Sequence, residues 1–430
     1  MNWKLSQILI FFFVFSVSIY SEKFDLVFLK YSYSNPWLPP EKYKSVHEGV
    51  RISESEVLFL APSGQTPSHG EFTSNETTSL PLRVLAYDTE SGLLLLQNRK
   101  LPSSIPITPF ADEGCNLEKP QYAKLPFTKL ILKLFPSKMK FEEPTPIFSK
   151  NQFCGFGISN WILGNSLIRQ FYEFRSSFLG FPQIGFEFLE RFTLAEQDYY
   201  FSKAEQGVVV ERVFPSSRLM NQIFPEDVLL SIDGKNLNGQ DPFTKRQKVY
   251  EWILESPKSV GVLLKLKRNG NIFSVRYKPF PYLERMNLIP DRKQNKIDYL
   301  LAGGMVFQEL TSAYLTELGE EFRERSERRL LYFVDYFRDR IHPQRKKIVL
   351  MSRVLPVEEN MSYANFQDLV LKSANGILIE DLVHFEKILT NLKQNEPIYL
   401  EFLGGKFSVF FKDELSKISA RIENEYRLNR

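Results

Sequence analysis

FPQIGFEFLERF, residues 181–192, holds a Pro-Gln-Ile-Gly turn running into an alternating apolar strand, and the chain on either side is organised around it. Downstream, QGVVVERVFPSSRL (206–219) reads as strand, turn and proline, and PEDVLLSIDGKNL (225–237) as a strand closing on Asp233-Gly234. KRQKVYEWILES (245–256) has helical spacing, and GVLLKLKRNGNIFSVRYKP (261–279) is a hairpin turning at Asn269-Gly270. Strand, strand, strand, helix, hairpin describes a small β-sandwich capped by one helix.

That order recurs further on. AGGMVFQEL (302–310), KKIVLMSRVLP (346–356), DLVLKSANGILI (368–379), EDLVHFEKILTNLK (380–393) and YLEFLGGKFSVFFK (399–412) repeat it, which points to a second copy. A charged helical insertion, 319–341, stands where the first copy has a tight loop. Its mixed charges suit a solvated face, whereas Tyr332, Phe333, Tyr336 and Phe337 suit docking on a neighbouring subunit.

Upstream, Gly49–Ile52, Glu56–Leu60, Leu82–Tyr87 and Leu93–Gln97 read as short strands, with a polar loop over 62–78 and a turn over 88–92. Residues 112–150 are irregular and rich in Lys and Pro. GNSLIRQFYEFR (164–175) has the spacing of a short amphipathic helix with Leu167, Phe171 and Phe174 on one face and Asn165 or Ser166 near its N-cap. The N-terminus runs from Lys4 through the apolar stretch Ile8–Phe15 to small residues at Ser16, Ser18 and Ser21. This is the layout of a signal peptide over 1–21, with an uncleaved anchor as the alternative; no cysteine follows to take a lipid.

The 430 residues carry 55 basic and 51 acidic groups, a net +4 without a basic block, so nucleic acid is not an expected partner. Cys115 and Cys154 are the only cysteines, and export permits a bond between them. The four histidines, at 47, 69, 342 and 384, are scattered, and no C-x-x-C, H-E-x-x-H or Gly-rich phosphate loop is present. Neither a metal nor any other cofactor is expected.

The 181–280 unit resembles a PDZ domain of the HtrA/Deg (Do-like) protease family, with Phe181-Pro182-Gln183-Ile184-Gly185-Phe186 similar to its carboxylate-binding loop. Residues 297–412, opening on YLLAGGMVFQELTSAYL, resemble the divergent second PDZ domain of the plant-type Deg branch. The resemblance implies a trypsin-like barrel upstream. There the strand Val57-Leu58-Phe59-Leu60-Ala61 ends on Pro62 where the family has its histidine, and Glu90-Ser91-Gly92-Leu93 puts Gly92 where it has its aspartate. Gly164-Asn165-Ser166 copies the start of the nucleophile motif, but Leu167 and Ile168 replace its glycines, so Ser166 is not expected to act. Proline cannot take a proton and glycine has no side chain to orient a base, so the triad chemistry has no support. A compensating site built on His47 or His69 is the alternative.

The fold class expected is therefore mainly β with α: a degenerate trypsin-like β-barrel domain followed by two PDZ-like domains. The expected units are 22–178, 179–287 and 288–418, with a charged tail over 419–430. A PDZ domain adds an extended peptide to a sheet edge and holds its carboxylate on backbone amides. The resemblance assigns those amides to Ile184, Gly185 and Phe186, the pairing strand to Phe188, and the pocket wall to Val249, Tyr250 and Ile253. In the second domain it assigns Gly303, Gly304 and Met305, with assembly of a homo-oligomer as the domain's other role. The expected function is an exported pseudoprotease, periplasmic or extracellular, that binds C-termini or unfolded segments as scaffold, adaptor or chaperone in protein quality control. An active HtrA-like endopeptidase with a divergent site, and a structural envelope protein with both grooves blocked, are the alternatives.

Overall fold

The structure is a computed structural model that describes residues 21–430 apart from 63–64, 74–78, 112–114, 116, 190, 202–205, 239–240, 257–259, 292–295, 320, 427 and 429–430. The expected signal peptide lies almost wholly outside the described residues.

β1 (Glu22–Lys30), β2 (Glu41–Arg51), β3 (Glu56–Leu60), β4 (His69–Thr73), β5 (Ser79–Tyr87) and β6 (Leu93–Gln97) close into a barrel in the order β1-β2-β3-β6-β5-β4. β3 and Leu93–Leu96 of β6 are buried on both faces, which is why they read as unbroken apolar runs. Val57, Phe59, Leu94 and Leu96 fill the barrel. Leu58, Leu60, Leu93 and Leu95 point the other way, into a core shared with the next sheet.

That sheet consists of β7 (Gln121–Lys124), β8 (Ile131–Ser149) and β9 (Gln152–Gly164). The expectation of an irregular 112–150 is thus overturned by a 19-residue strand. Its prolines misled the reading: the pairing with β9 shifts register after Pro136 and again before Thr145, so the strand carries proline through irregularities that interrupt its ladder. Lys150 and Asn151, both at positive φ, make the turn. Cys115 bonds to Cys154 of β9.

α1 (Asn165–Glu173) follows, with Gly164 as its N-cap and Asn165 and Ser166 in the first turn beside it, without a side-chain cap hydrogen bond. Its buried face is Ile168 and Phe171, while Phe174 lies beyond the helix and is 56% exposed.

The first PDZ-like domain contains β10 (Pro182–Gln183), β11 (Phe186–Leu189), α2 (Leu194–Tyr200), β12 (Val208–Val213), β13 (Val228–Ile232), β14 (Lys235–Asn236), α3 (Pro242–Leu254), β15 (Val262–Arg268), β16 (Asn271–Tyr277) and β17 (Phe280–Pro281). Its sheet runs β11-β12-β13-β15-β16, so β11 is an edge, and β10 pairs with β17. α3 starts as its sequence dictates, with Asp241 accepting from the Thr244 amide and Pro242 in the first turn.

The second has β18 (Tyr299–Ala302), β19 (Met305–Glu309), α4 (Ser312–Thr316), α5 (Phe322–Arg325), α6 (Arg328–Phe337), β20 (Val349–Val354), β21 (Gln367–Ala374), β22 (Ile377–Leu378), α7 (Leu382–Asn391), β23 (Pro397–Phe402), β24 (Phe407–Phe411) and α8 (Lys412–Glu425). Its sheet runs β18-β19-β20-β21-β23-β24. Two expectations change here. The stretch after 418 is no free tail, because α8 sinks Leu415, Ile418 and Ile422 into this domain's core. In the insertion, Leu330 and Phe333 are buried within the chain and Phe337 packs half-buried against the same cluster, whereas Tyr332 and Tyr336 are exposed.

The disulfide closes a loop across a separation of 39 residues, for which chain entropy predicts about 4 kcal/mol of stabilisation. The Cys115→Ser/Cys154→Ser variant should unfold in urea with roughly 2–4 kcal/mol less stability, and an unchanged midpoint would refute a structural role for the bond.

Candidate functional site

Pro62 and Gly92 lie side by side. Leu60 pairs with Leu93 across β3 and β6, and one residue further on the Ala61 amide donates to the Gly92 carbonyl at 2.7 Å. A Cβ built on Gly92 would come 2.5 Å from Pro62 Cα. The two positions that the resemblance assigns to base and orienting carboxylate are thus neighbours, filled by a ring and a bare backbone. Ser166 is exposed in the first turn of α1.

Among the described residues, two serine–histidine pairs lie elsewhere on the barrel. Ser45 Oγ lies 2.9 Å from His47 Nε2 on β2. Burial pulls that imidazole below its usual range, against the raising effect of Glu143. Ser68 Oγ lies 3.0 Å from His69 Nδ1, whose Nε2 is 3.2 Å from Glu71 Oε1. Ser68 already donates to the Val27 carbonyl at 3.1 Å, so its proton is not offered to the ring.

In the first PDZ-like domain the expected carboxylate loop leads into the edge strand β11. Gly185 sits at φ +84°, and a side chain there would run into Ser217. Its carbonyl accepts from the Phe214 amide and that of Ile184 from the Tyr277 hydroxyl at 2.9 Å, so the loop is fixed from behind through its carbonyls. The 185–214 bond makes 186–213 a non-hydrogen-bonded pair, which turns the Phe186 amide toward the open edge. Among the named wall residues, Val249 and Ile253 are core, at 0% and 1% exposure. Tyr250 is half-buried, its ring 5.7 Å from that of Phe188 on β11.

Sequence reasoning missed what sits beside this wall. The hairpin β7–β8 docks onto α3, where the Gln247 side chain accepts from the Tyr122 amide at 2.7 Å and donates to its carbonyl at 2.8 Å. The Tyr122 ring lies 5.9 Å from Tyr250, and its hydroxyl and Lys133 both reach Glu255. Gln183 clamps the Ile131 backbone in the same way, at 2.9 and 3.2 Å. Glutamine amides are common on surfaces, so nothing in the sequence marked these two as clamps.

In the second domain the assignment of Gly303, Gly304 and Met305 as carboxylate donors meets a different geometry. Gly303 and Gly304, at φ +60° and +77°, form a two-residue turn joining β18 to β19, with Ala302 paired to Met305 and Tyr299 to Gln308. The edge a peptide would join is already occupied by the chain's own strand. Buried Asn360 locks the turn, donating to the Gly303 and Leu355 carbonyls at 3.0 Å each. The β1–β2 connection adds a further seal: the Tyr33 and Ser34 amides donate to Glu317 and Trp37 packs on Tyr299.

Residues 289–430 match the family model described as a PDZ domain. Among curated proteins, the chain is 25% identical over 233 residues to the mitochondrial protein Do-like 3 of Arabidopsis thaliana, covering 49% of this chain and 37% of that one. It is 24% identical over 260 residues to the chloroplastic protease Do-like 2 of the same plant, covering 59% and 41%. The chain is a PDZ-containing relative of the Do-like proteases. The matches span about two fifths of those relatives' own length. Among solved structures, the HtrA-type protease AlgW with a decapeptide overlays 62% of the chain and 97% of its own at 12% identity and a TM-score of 0.41, a level that assigns no site.

In this Do-like relative, a cavity of about 1020 Å³ lies where the barrel, the hairpin tip and both PDZ-like domains meet, bounded by Pro62, Glu90, Phe127, Lys129, Glu284 and Arg338. Asp339 receives Lys129 at 3.0 Å and Arg212 at 2.6 Å, and Arg212 also pairs with Glu187 of β11. Burial works against ionised Asp339, but the two cations outweigh it and hold its carboxyl below the usual range. Glu90 accepts from the Glu284 amide at 3.0 Å, and burial, with Glu284 and Asp88 nearby, pushes its carboxyl up to about 7.

A raised carboxyl pKa means that between pH 4.5 and about 7 the unfolded chain gives up a proton which the folded one keeps. Stability from this group is therefore complete below pH 4.5 and is lost as pH rises through about 7. Glu90→Gln should match wild type near pH 4 and exceed it at pH 8 by up to about 3 kcal/mol. Parallel stability curves for the two proteins across that range would show the reading of Glu90 to be wrong.

Proposed function

We propose that the protein binds extended polypeptide C-termini along β11 of its first PDZ-like domain and does not hydrolyse them. The observation that carries the second half is the contact between Pro62 and Gly92. A general base and its orienting carboxylate have to be neighbours, and these neighbours hold no titratable group. The first half is supported by the fixed loop at Ile184–Phe186 and the free edge of β11, with Phe188 and Tyr250 at the side-chain positions. The second domain, its edge paired by β18, serves cohesion of the chain and assembly rather than ligand capture.

The role that fits is scaffold, adaptor or chaperone in protein quality control. The protein is exported, to the periplasm or outside the cell; the signal-like N-terminus and the Cys115–Cys154 bond support an oxidising destination. Among the described residues no helix is long and apolar enough to cross a membrane. The Ser45–His47 pair favours the second reading, an endopeptidase with a displaced site.

Casein digestion and fluorophosphonate labelling of the purified protein separate the two. No turnover and no label are expected, whereas activity lost in Ser45→Ala or Ser166→Ala would establish an enzyme. Gly185→Ala, which forces the carboxylate loop against Ser217, should weaken binding of display-selected C-terminal peptides about tenfold or more with the circular dichroism unchanged. Retained affinity in that variant would move the ligand site away from β11.

A further inference from the structure

β23 and β24 form the last hairpin of the second PDZ-like domain, and β24 is an outer edge of its sheet. Pro397 pairs with Phe411, Tyr399 with Val409 and Glu401 with Phe407, so these side chains leave the sheet on one face. The residues between them, Ile398, Leu400, Phe402, Ser408 and Phe410, are buried on the other face. Such alternation normally leaves the outer face polar. Here Tyr399, Phe407, Val409 and Phe411 stand on it at 41–51% exposure, with the Tyr399 and Phe407 rings stacked at 5.3 Å. Glu401, the acid on this face, is neutralised by Lys372 at 2.7 Å.

The architecture does not require an apolar face at this place. The matching hairpin of the first PDZ-like domain, β15–β16, pairs Leu263 with Arg276, Lys265 with Ser274 and Lys267 with Ile272 on its outer side. That face is mostly charged or polar, as a solvated one should be.

Two features indicate what covers the apolar face. The Tyr363 hydroxyl accepts from the Val409 amide at 3.2 Å and donates to its carbonyl at 3.4 Å, which closes the middle of the β24 edge to a further strand. Four half-exposed side chains offer roughly 300–400 Å². That is about half of the ~800 Å² which each partner of a stable protein complex buries. A bilayer sets no such minimum, because it takes up each apolar side chain separately. Rings with a tyrosine among them suit its interface, and Lys406, its ammonium over the Phe366 ring at the hairpin turn, can keep that charge among the headgroups.

We propose that the outer face of β23–β24 rests on a lipid bilayer surface and holds the protein at a membrane without a spanning helix. This is independent of whether β11 takes a ligand. Asp413 and Glu414 follow Phe411 in the first turn of α8, so the contact is apolar rather than electrostatic and needs no anionic lipid.

The test floats the full-length protein with vesicles of phosphatidylcholine, and with vesicles of equal parts phosphatidylcholine and phosphatidylglycerol. Both should bind it, within about threefold of each other. Phe407→Ser/Phe411→Ser should weaken binding about tenfold or more, and both rings lie outside the core, so the fold is retained. Phe407→Trp should keep the binding and show fluorescence quenched by brominated acyl chains beyond the quenching seen in wild type. Absence of binding, binding only to the anionic vesicles, or no added quenching overturns the proposal. Binding that survives in the serine variant assigns it to another part of the chain, such as the apolar N-terminus, and overturns it too. A wild-type dimer that sedimentation finds monomeric in the serine variant would give the face to a second copy, with the same consequence.

Discussion

The ion pairs at Asp339 hold the three units in one arrangement. The residue leaves the second domain's insertion and accepts at once from Lys129 at the tip of the β7–β8 hairpin and from Arg212 of the first PDZ-like domain. An ionised carboxylate this buried is tolerable only with its partners in place, so losing either cation leaves a charge without compensation. Arg212 passes the constraint on, because its guanidinium also holds Glu187 on β11. The strand proposed to receive a ligand is thereby positioned by a group more than a hundred residues away (339 against 187).

The two PDZ-like sheets solve the problem of a free edge in opposite ways. An open row of backbone donors and acceptors invites pairing, and proteins either cover it or use it. The second domain covers its edge with β18, tied by the Gly303–Gly304 turn and closed over by α8 and Trp37. The first leaves β11 unpaired along its outer side among the described residues, while the hairpin docked on α3 stands at its wall. One sheet edge has become part of the fold, and the other is the edge proposed to receive a ligand.

The barrel shows the same economy at Pro62 and Gly92. There the ends of β3 and β6 pack backbone against backbone, and a Cβ at 92 would not fit. An aspartate at 92 would therefore disturb the local structure.

The sequence by itself determined the fold class and most of the local elements of the two PDZ-like units. Alternation, Asp-Gly and Asn-Gly turns and the Asp241-Pro242 cap act within a few residues, so both PDZ-like units were legible, and so were the positions of Pro62 and Gly92. The barrel strand β1 and the long β8 were not, since β1 pairs with residues far along the chain and β8 carries prolines through breaks in its ladder. Tertiary structure alone decided that Gly303–Gly304 is a hairpin turn and not an anion cradle. The same two glycines permit either, and the choice rests on whether Tyr299–Ala302 folds back along β19. It also decided that Val249 and Ile253 face the core while Tyr250 packs against Phe188 of β11, and that Gln183 and Gln247 clamp a distant backbone. The two clamps depend on contacts across more than fifty residues, and a local pattern holds no record of which distant surface will meet it.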